Sequence, residues 1–341
     1  MLEPAPTSSS TAREDGITLA LAAALVGGMF LDGYAHVEVI DTETEDFFTP
    51  WHAVFYTAFV ALAGWVAFVG YRRRHPGVGI VDWFPAAYRP ALVGVGLFAV
   101  GGVGDGIWHT IYGVETSIDA LLSPTHLLLF AGGLLIGWTP VRAHALRGRA
   151  DAGWLTVGTA AIVTAVLVFF TAYAWVVPQT WMGRQIYDPD TGQGTELIQY
   201  FLAAALVDTA ILLGPLLMVV GRWRPPFGAA TVVFTVAQTF ETLAFSGRWW
   251  GVVFAAIGGA TFDVALRWAP WRPLLVAAAS APAAMWASYL LLGVGGRSGW
   301  PPELNGGLVM ITALAGAGLT LLQGSGQPGR HEPGRRPGGL G

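Results

Sequence analysis

Residues 51–74 read WHAVFYTAFVALAGWVAFVGYRRR, an apolar run without an acid or an arginine that ends on three consecutive arginines. A helix of about 20 mainly apolar residues crosses the hydrocarbon core of a bilayer, and arginines gathered at one end mark the cytoplasmic side. The stretch therefore reads as a membrane span that runs inward. Outward from it the same reading repeats along the chain. Apolar runs at 17–36, 90–111, 124–141, 153–177, 197–220, 227–246, 249–267, 273–293 and 304–323 bring the expected number of spans to ten.

Composition points the same way. Of 341 residues, 54% are hydrophobic and 12% charged, where a soluble domain carries roughly a quarter charged. A water-soluble enzyme or a nucleic-acid binder is excluded, and a chain without cysteine holds no disulfide scaffold. The basic residues are 18 arginines with no lysine, and 15 of them fall on one side of the expected bilayer; Arg184, Arg248 and Arg297 fall opposite. The positive-inside rule then assigns both termini to the cytoplasm. The expected fold is all-α, a polytopic membrane helix bundle of the plasma (inner) membrane. Its divisions are a disordered N-tail (1–16), two helical hairpins (17–141), a six-helix half (142–323) and a disordered C-tail (324–341).

The two hairpins read as copies of one another. Residues 32–52, DGYAHVEVIDTETEDFFTPWH, match residues 105–126, DGIWHTIYGVETSIDALLSPTH. Both run Asp-Gly-x-x-His, then a short acidic stretch, then Thr/Ser-Pro-x-His. In the expected topology all of these positions lie at the extracytoplasmic face. Asp32 and His36 share one face of the first helix, as Asp105 and His109 share one face of the third, because residues four apart are neighbours on a helix. Thr49 and Ser123 are expected N-caps, with Pro50 and Pro124 in the first turn. That arrangement brings His52 and His126 to the starts of the second and fourth helices.

Each hairpin thus offers Asp-His-His at one depth, a set suited to Fe(II), Zn(II) or Cu(II). The expected metal ligands are Asp32, His36, His52, Asp105, His109 and His126, forming one dinuclear or two mononuclear sites. Glu45 and Glu115, in the loops of the two hairpins, are candidates to complete the shell. Ionisable groups near membrane depth are costly and usually functional; the alternative is a hydrogen-bonded helix-end pair copied along with its hairpin. His75, His144 and His331 fall in cytoplasmic basic segments and are expected to be solvated.

The spacing Asp-x3-His-x15-His, and its second copy Asp-x3-His-x16-His, resembles the Asp-x3-His-x12-His motif of the copper-binding membrane subunit of particulate methane and ammonia monooxygenases. The likeness covers the motif and not the whole chain, and the second gap is longer here. It implies copper, bound close to an oxidation site.

The second half carries isolated polar residues: Asp208, Gln238, Glu241 and Asp263. Asp208 and Asp263 read as interhelical hydrogen-bonding groups. Glu241 is either an additional metal ligand or proton carrier, or a partner for Arg248. The functional expectations are then a membrane metal-dependent oxidase or hydroxylase acting on a lipophilic substrate, or a protein of metal-ion acquisition, delivery or transport. A haem held by His52 and His126, or a non-catalytic membrane protein, are further alternatives. Membrane lipid and partner membrane subunits are the expected associates. No phosphate-binding loop, dinucleotide fingerprint or serine-nucleophile elbow occurs, so ATP coupling and serine hydrolysis have no support.

Overall fold

The computed structural model describes residues 9–39, 47–113, 115 and 118–324. Their regular structure is helical throughout. In chain order the helices are α1 (Ala12–Glu38), α2 (Pro50–Tyr71), α3 (Arg89–Tyr112), α4 (Ile118–Leu122), α5 (Pro124–Gly137), α6 (Thr139–Leu146), α7 (Trp154–Phe170), α8 (Thr195–Val220), α9 (Ala229–Glu241), α10 (Trp250–Trp268), α11 (Pro273–Ser288) and α12 (Pro302–Gly324). Among the described residues, eight helical stretches are long and apolar enough to cross a membrane, with α5 and α6 forming one of them. The two remaining expected spans fall on the shorter helices α7 and α9. Three residue-level expectations are corrected by this arrangement.

The first concerns the N-terminus, where α1 begins at Ala12 rather than after residue 16. Thr11 Oγ1 accepts the Glu14 amide and Glu14 Oε2 accepts the Thr11 amide, so two free amides at the helix start are satisfied. Glu14 and Asp15, in the first turn, are buried. Arg73, just past α2, donates to Glu14 Oε2 at 2.8 Å, and Arg147, just past α6, donates to Asp15 Oδ2. Tyr88 donates to Asp15 Oδ1 at 3.1 Å, and its hydroxyl lies 2.8 Å from Thr18 Oγ1. Trp65 Nε1 donates to the same threonine at 3.0 Å. This network clamps one end of α1 to its neighbours. Nearby His144 is also buried, edge-on to Trp223 at 5.0 Å, rather than solvated; His331 lies outside the described residues.

The second correction concerns the fifth span, whose helix stops at Phe170 although the apolar run continues to residue 177. The segment Thr171–Val177 turns through a short 3-10 stretch that ends where the Trp175 amide donates to the Ala172 carbonyl, and Trp175, Val176 and Val177 are buried beyond the α-helix. Non-helical backbone within a membrane protein must find partners inside the protein. Here Asp208 of α8, itself fully buried, accepts the Val176 amide at 3.0 Å.

The third lies in α9, which is followed by a π turn, Thr242–Ser246, before Gly247 reverses the chain with φ of 60°. Gly228 precedes α9 without a capping side chain. Asp263 of α10 supplies the cap from across the interface, accepting from the Ala230 and Thr231 amides at 3.0 Å each and from Thr231 Oγ1 at 2.7 Å. Both buried aspartates of the second half are therefore occupied with backbone amides.

Packing is pairwise. Helix α1 lies along α2, α3 along α5, and α10 between α9 and α11, while α7 joins the two halves through α1, α5, α8 and α9. The two N-terminal pairs meet each other more sparsely than their members meet within a pair.

Candidate metal centre

Four helix ends converge at the end of the bundle opposite the clamp. The C-terminal turns of α1 and α3 bring Asp32, His36, Asp105 and His109; the N-terminal turns of α2 and α5 bring His52 and His126. The caps are local in origin. Thr49 Oγ1 accepts the His52 amide at 3.1 Å, and Ser123 Oγ accepts the His126 amide at 3.4 Å. With proline in each first turn, the histidine two residues later is held where the helix begins.

All six residues fall in one cluster. The His36 and His52 rings lie 5.3 Å apart, His52 and His109 5.7 Å, and His109 and His126 5.9 Å, centre to centre. Asp32 Oδ2 stands 3.5 Å from His52 Nε2 and 3.8 Å from His36 Nδ1. Asp105 Oδ1 stands 2.8 Å from His126 Nε2 and 3.4 Å from His109 Nε2. Two triads have donor atoms mutually within 4.8 Å: His36, His52 and His109, and Asp105, His109 and His126. The first crosses from one hairpin to the other and the second does not. His109 belongs to both.

Three of the rings are oriented by carbonyl oxygens. His36 Nδ1 faces the Asp32 carbonyl at 2.9 Å, His52 Nδ1 the Phe47 carbonyl at 2.7 Å, and His109 Nδ1 the Gly113 carbonyl at 3.1 Å. A carbonyl only accepts, so in a neutral ring the proton sits on Nδ1 and Nε2 keeps its lone pair. This is the arrangement by which outer hydrogen bonds fix the tautomer of metal-binding histidines. His126 differs, with Nδ1 2.9 Å from Ser123 Oγ, a group that donates or accepts.

The carboxylates are steadied in the same way. Tyr56, one turn beyond His52, donates to Asp105 Oδ2 at 2.7 Å. Trp108 Nε1 donates to Glu115 Oε1 at 2.5 Å, leaving Glu115 Oε2 3.9 Å from His126 Nδ1. Tyr56, Trp108 and the Phe47 carbonyl were not among the residues singled out from sequence. Tyr56 carries a signal there, as a phenol four residues after His52 on the same face.

Three buried polar atoms at this site have no hydrogen bond: Asp32 Oδ1, His109 Nε2 and Glu115 Oε2. Buried polar atoms are rarely left so. His109 Nε2 stands among the donor atoms of both triads, and imidazole with carboxylate is a set that fits a metal ion.

The remaining candidates lie elsewhere. Glu45 is outside the described residues. The Glu241 carboxylate accepts from Gln238 Nε2 and, at 3.0 Å, from Ser246 Oγ. Arg248 instead donates to Gln179 Oε1 at 3.2 Å. Glu241 enters neither triad, and its bonds tie α9 to the π turn that follows it. That turn in turn directs Phe245 against Phe30 and Phe169, at 5.8 and 5.6 Å.

Beside the cluster opens a cavity of about 390 Å³ whose walls are otherwise apolar, with Asp32, His36, His52, Asp105 and His126 at its polar end. A few convergent polar groups on an apolar pocket of this size is the usual build of a small-molecule site. No protein-family model, curated protein or solved structure matches the chain.

Proposed function

We propose that this chain is a ten-span membrane metalloprotein with both termini cytoplasmic, whose duplicated hairpins hold a divalent metal at the extracytoplasmic face of the plasma (inner) membrane. Its proposed activity is metal-dependent oxidation or hydroxylation of a lipophilic substrate. The observation that carries the metal reading is that His36, His52 and His109 each have a carbonyl behind Nδ1, which leaves Nε2 its lone pair, and offer donor atoms within 4.8 Å of one another. The apolar cavity continuous with the cluster supports a lipophilic substrate. Arginine distribution supports the orientation, and the motif resemblance supports copper ahead of iron or zinc.

A bound redox metal would supply oxygen activation, and zinc would supply activated water. The chain's own contribution is to place and shield. His36, His52, His109, Asp105 and His126 would hold the metal, Asp32 and Glu115 would complete or orient its surroundings, and Tyr56 and Trp108 fix the carboxylates. Glu115 Oε2, without a hydrogen bond, is the group able to accept a proton beside His126. A second reading, metal acquisition or delivery, is favoured by the acidic run 41–46, DTETED, which follows α1 in sequence.

Elemental mass spectrometry on the purified protein tests the metal reading. One or two equivalents of copper, iron or zinc are expected, with loss in a folded His36→Ala/His109→Ala variant. A protein that takes up none of these ions after reconstitution sinks the reading. Retention through chelation favours the enzyme over the carrier, and an absorption spectrum identifies any haem.

A further inference from the structure

The cavity beside the cluster is a slot rather than a sphere. Its lining runs along α2 from His52 to Leu62 and along α5 from His126 to Gly137, which at the helical rise per residue is about 15 Å of depth. Polar groups occupy one end, and beyond them the wall is hydrocarbon, aromatic ring or glycine. The slot exists because α1 packs on α2 and α3 on α5, while the two pairs stand apart and α7 closes the side with Ile162, Val166 and Phe170.

The far end is blind. Ala22 and Leu62 are the deepest lining residues on α1 and α2. One turn further lie Thr18 and Trp65, joined by a 3.0 Å hydrogen bond, with Tyr88 bonded to the same threonine. At the near end, Asp32 belongs to neither triad and its Oδ1 accepts no hydrogen bond. That oxygen calls for a donor, and a carboxylate facing the space disfavours an anionic head.

We propose that the slot binds one saturated hydrocarbon chain of about a dozen carbons, lying parallel to the helices with a neutral hydroxyl head against Asp32. The substrate class is therefore a long-chain primary alcohol or a lipid presenting the same end. The assignment deepens the proposed function and rests on it for the cluster being the reactive end. Burial of apolar chain supplies affinity in proportion to length until the blind end is met.

Two glycines of α5 make this testable. A Cβ at Gly133 meets nothing within 4 Å, so a larger side chain there fills the slot instead of displacing a neighbour; at Gly137 it meets Val163 Cγ2 at 3.5 Å, an ordinary contact. Binding of saturated primary alcohols from hexanol to octadecanol would be measured on the full chain in nanodiscs by native mass spectrometry. Affinity should rise with length to a maximum near dodecanol and then fall. Gly133→Leu should move that maximum to shorter chains and weaken dodecanol about tenfold or more, while leaving hexanol little changed. Gly137→Val, deeper in the slot, should shorten it less, and Gly133→Ala serves as the milder variant.

Metal content is measured on the same samples. A length profile that is flat, or that Gly133→Leu and Gly133→Ala leave unmoved with metal retained, overturns the slot. Preferential capture of two-chain phospholipid with no alcohol binding overturns it too. A length-dependent profile in a protein that binds no metal supports the slot and overturns the metal reading instead.

Discussion

At the scale of single residues the decisive feature is the position of His109, whose Nε2 is buried, without a hydrogen bond, and common to both triads. If each triad holds an ion, the six ligands do not divide into two independent sets of three. His126→Ala strips only the Asp105 triad and His36→Ala only the other, so each should leave one equivalent of metal. His109→Ala should leave neither position tightly filled. Elemental analysis per chain reads this directly, and equal losses in all three variants would sink the shared-ligand account. The sequence made the ligand candidates themselves visible, because Asp-x-x-x-His sets a helix face and Thr/Ser-Pro-x-His sets a helix start. The sharing was not visible. It depends on how one hairpin leans on the other, which no spacing within a hairpin encodes. The carbonyls of Phe47 and Gly113 were equally hidden, since any residue type supplies a carbonyl.

At the scale of elements, the spans of α1, α2 and α3 follow from apolar runs bounded by charge or proline, and reading them from sequence succeeds. The fifth span shows why such reading fails in places. Residues 171–177, TAYAWVV, are as apolar as a helix, but hydropathy reports burial, not hydrogen bonding. What makes an irregular chain tolerable there is Asp208, 32 residues further along than Val176, whose role appears only once α7 and α8 are side by side. Asp263 does the same for the start of α9. Asp263→Ala would leave the Ala230 and Thr231 amides unpaired in a buried interface, and loss of such a cap typically costs about 1–2 kcal/mol. A lowered thermal midpoint with metal content unchanged is the expected result; an unshifted midpoint would show that the cap is dispensable.

At the scale of the whole molecule, the two ends of the N-terminal bundle are held by different means. One end is tied by Arg73 with Glu14, Arg147 with Asp15, and the Tyr88–Thr18–Trp65 hydrogen bonds. Asp15→Ala would leave the Arg147 guanidinium partly buried without its partner, and breaking a buried pair in this way costs about 3 kcal/mol or more. Thermal unfolding in mild detergent should register that loss, while the intact protein below its midpoint keeps its full metal content. A midpoint equal to wild type would assign the pair no stabilising role. The opposite end is tied without arginine: Tyr56 donates to Asp105, whose other oxygen pairs with His126, and Asp32 faces His52. The two ends therefore differ in kind, with arginine–carboxylate pairs at one and imidazole–carboxylate contacts at the other. A guest that seats among the imidazoles trades only with contacts at that end, and the arginine pairs at the other have no part in the exchange.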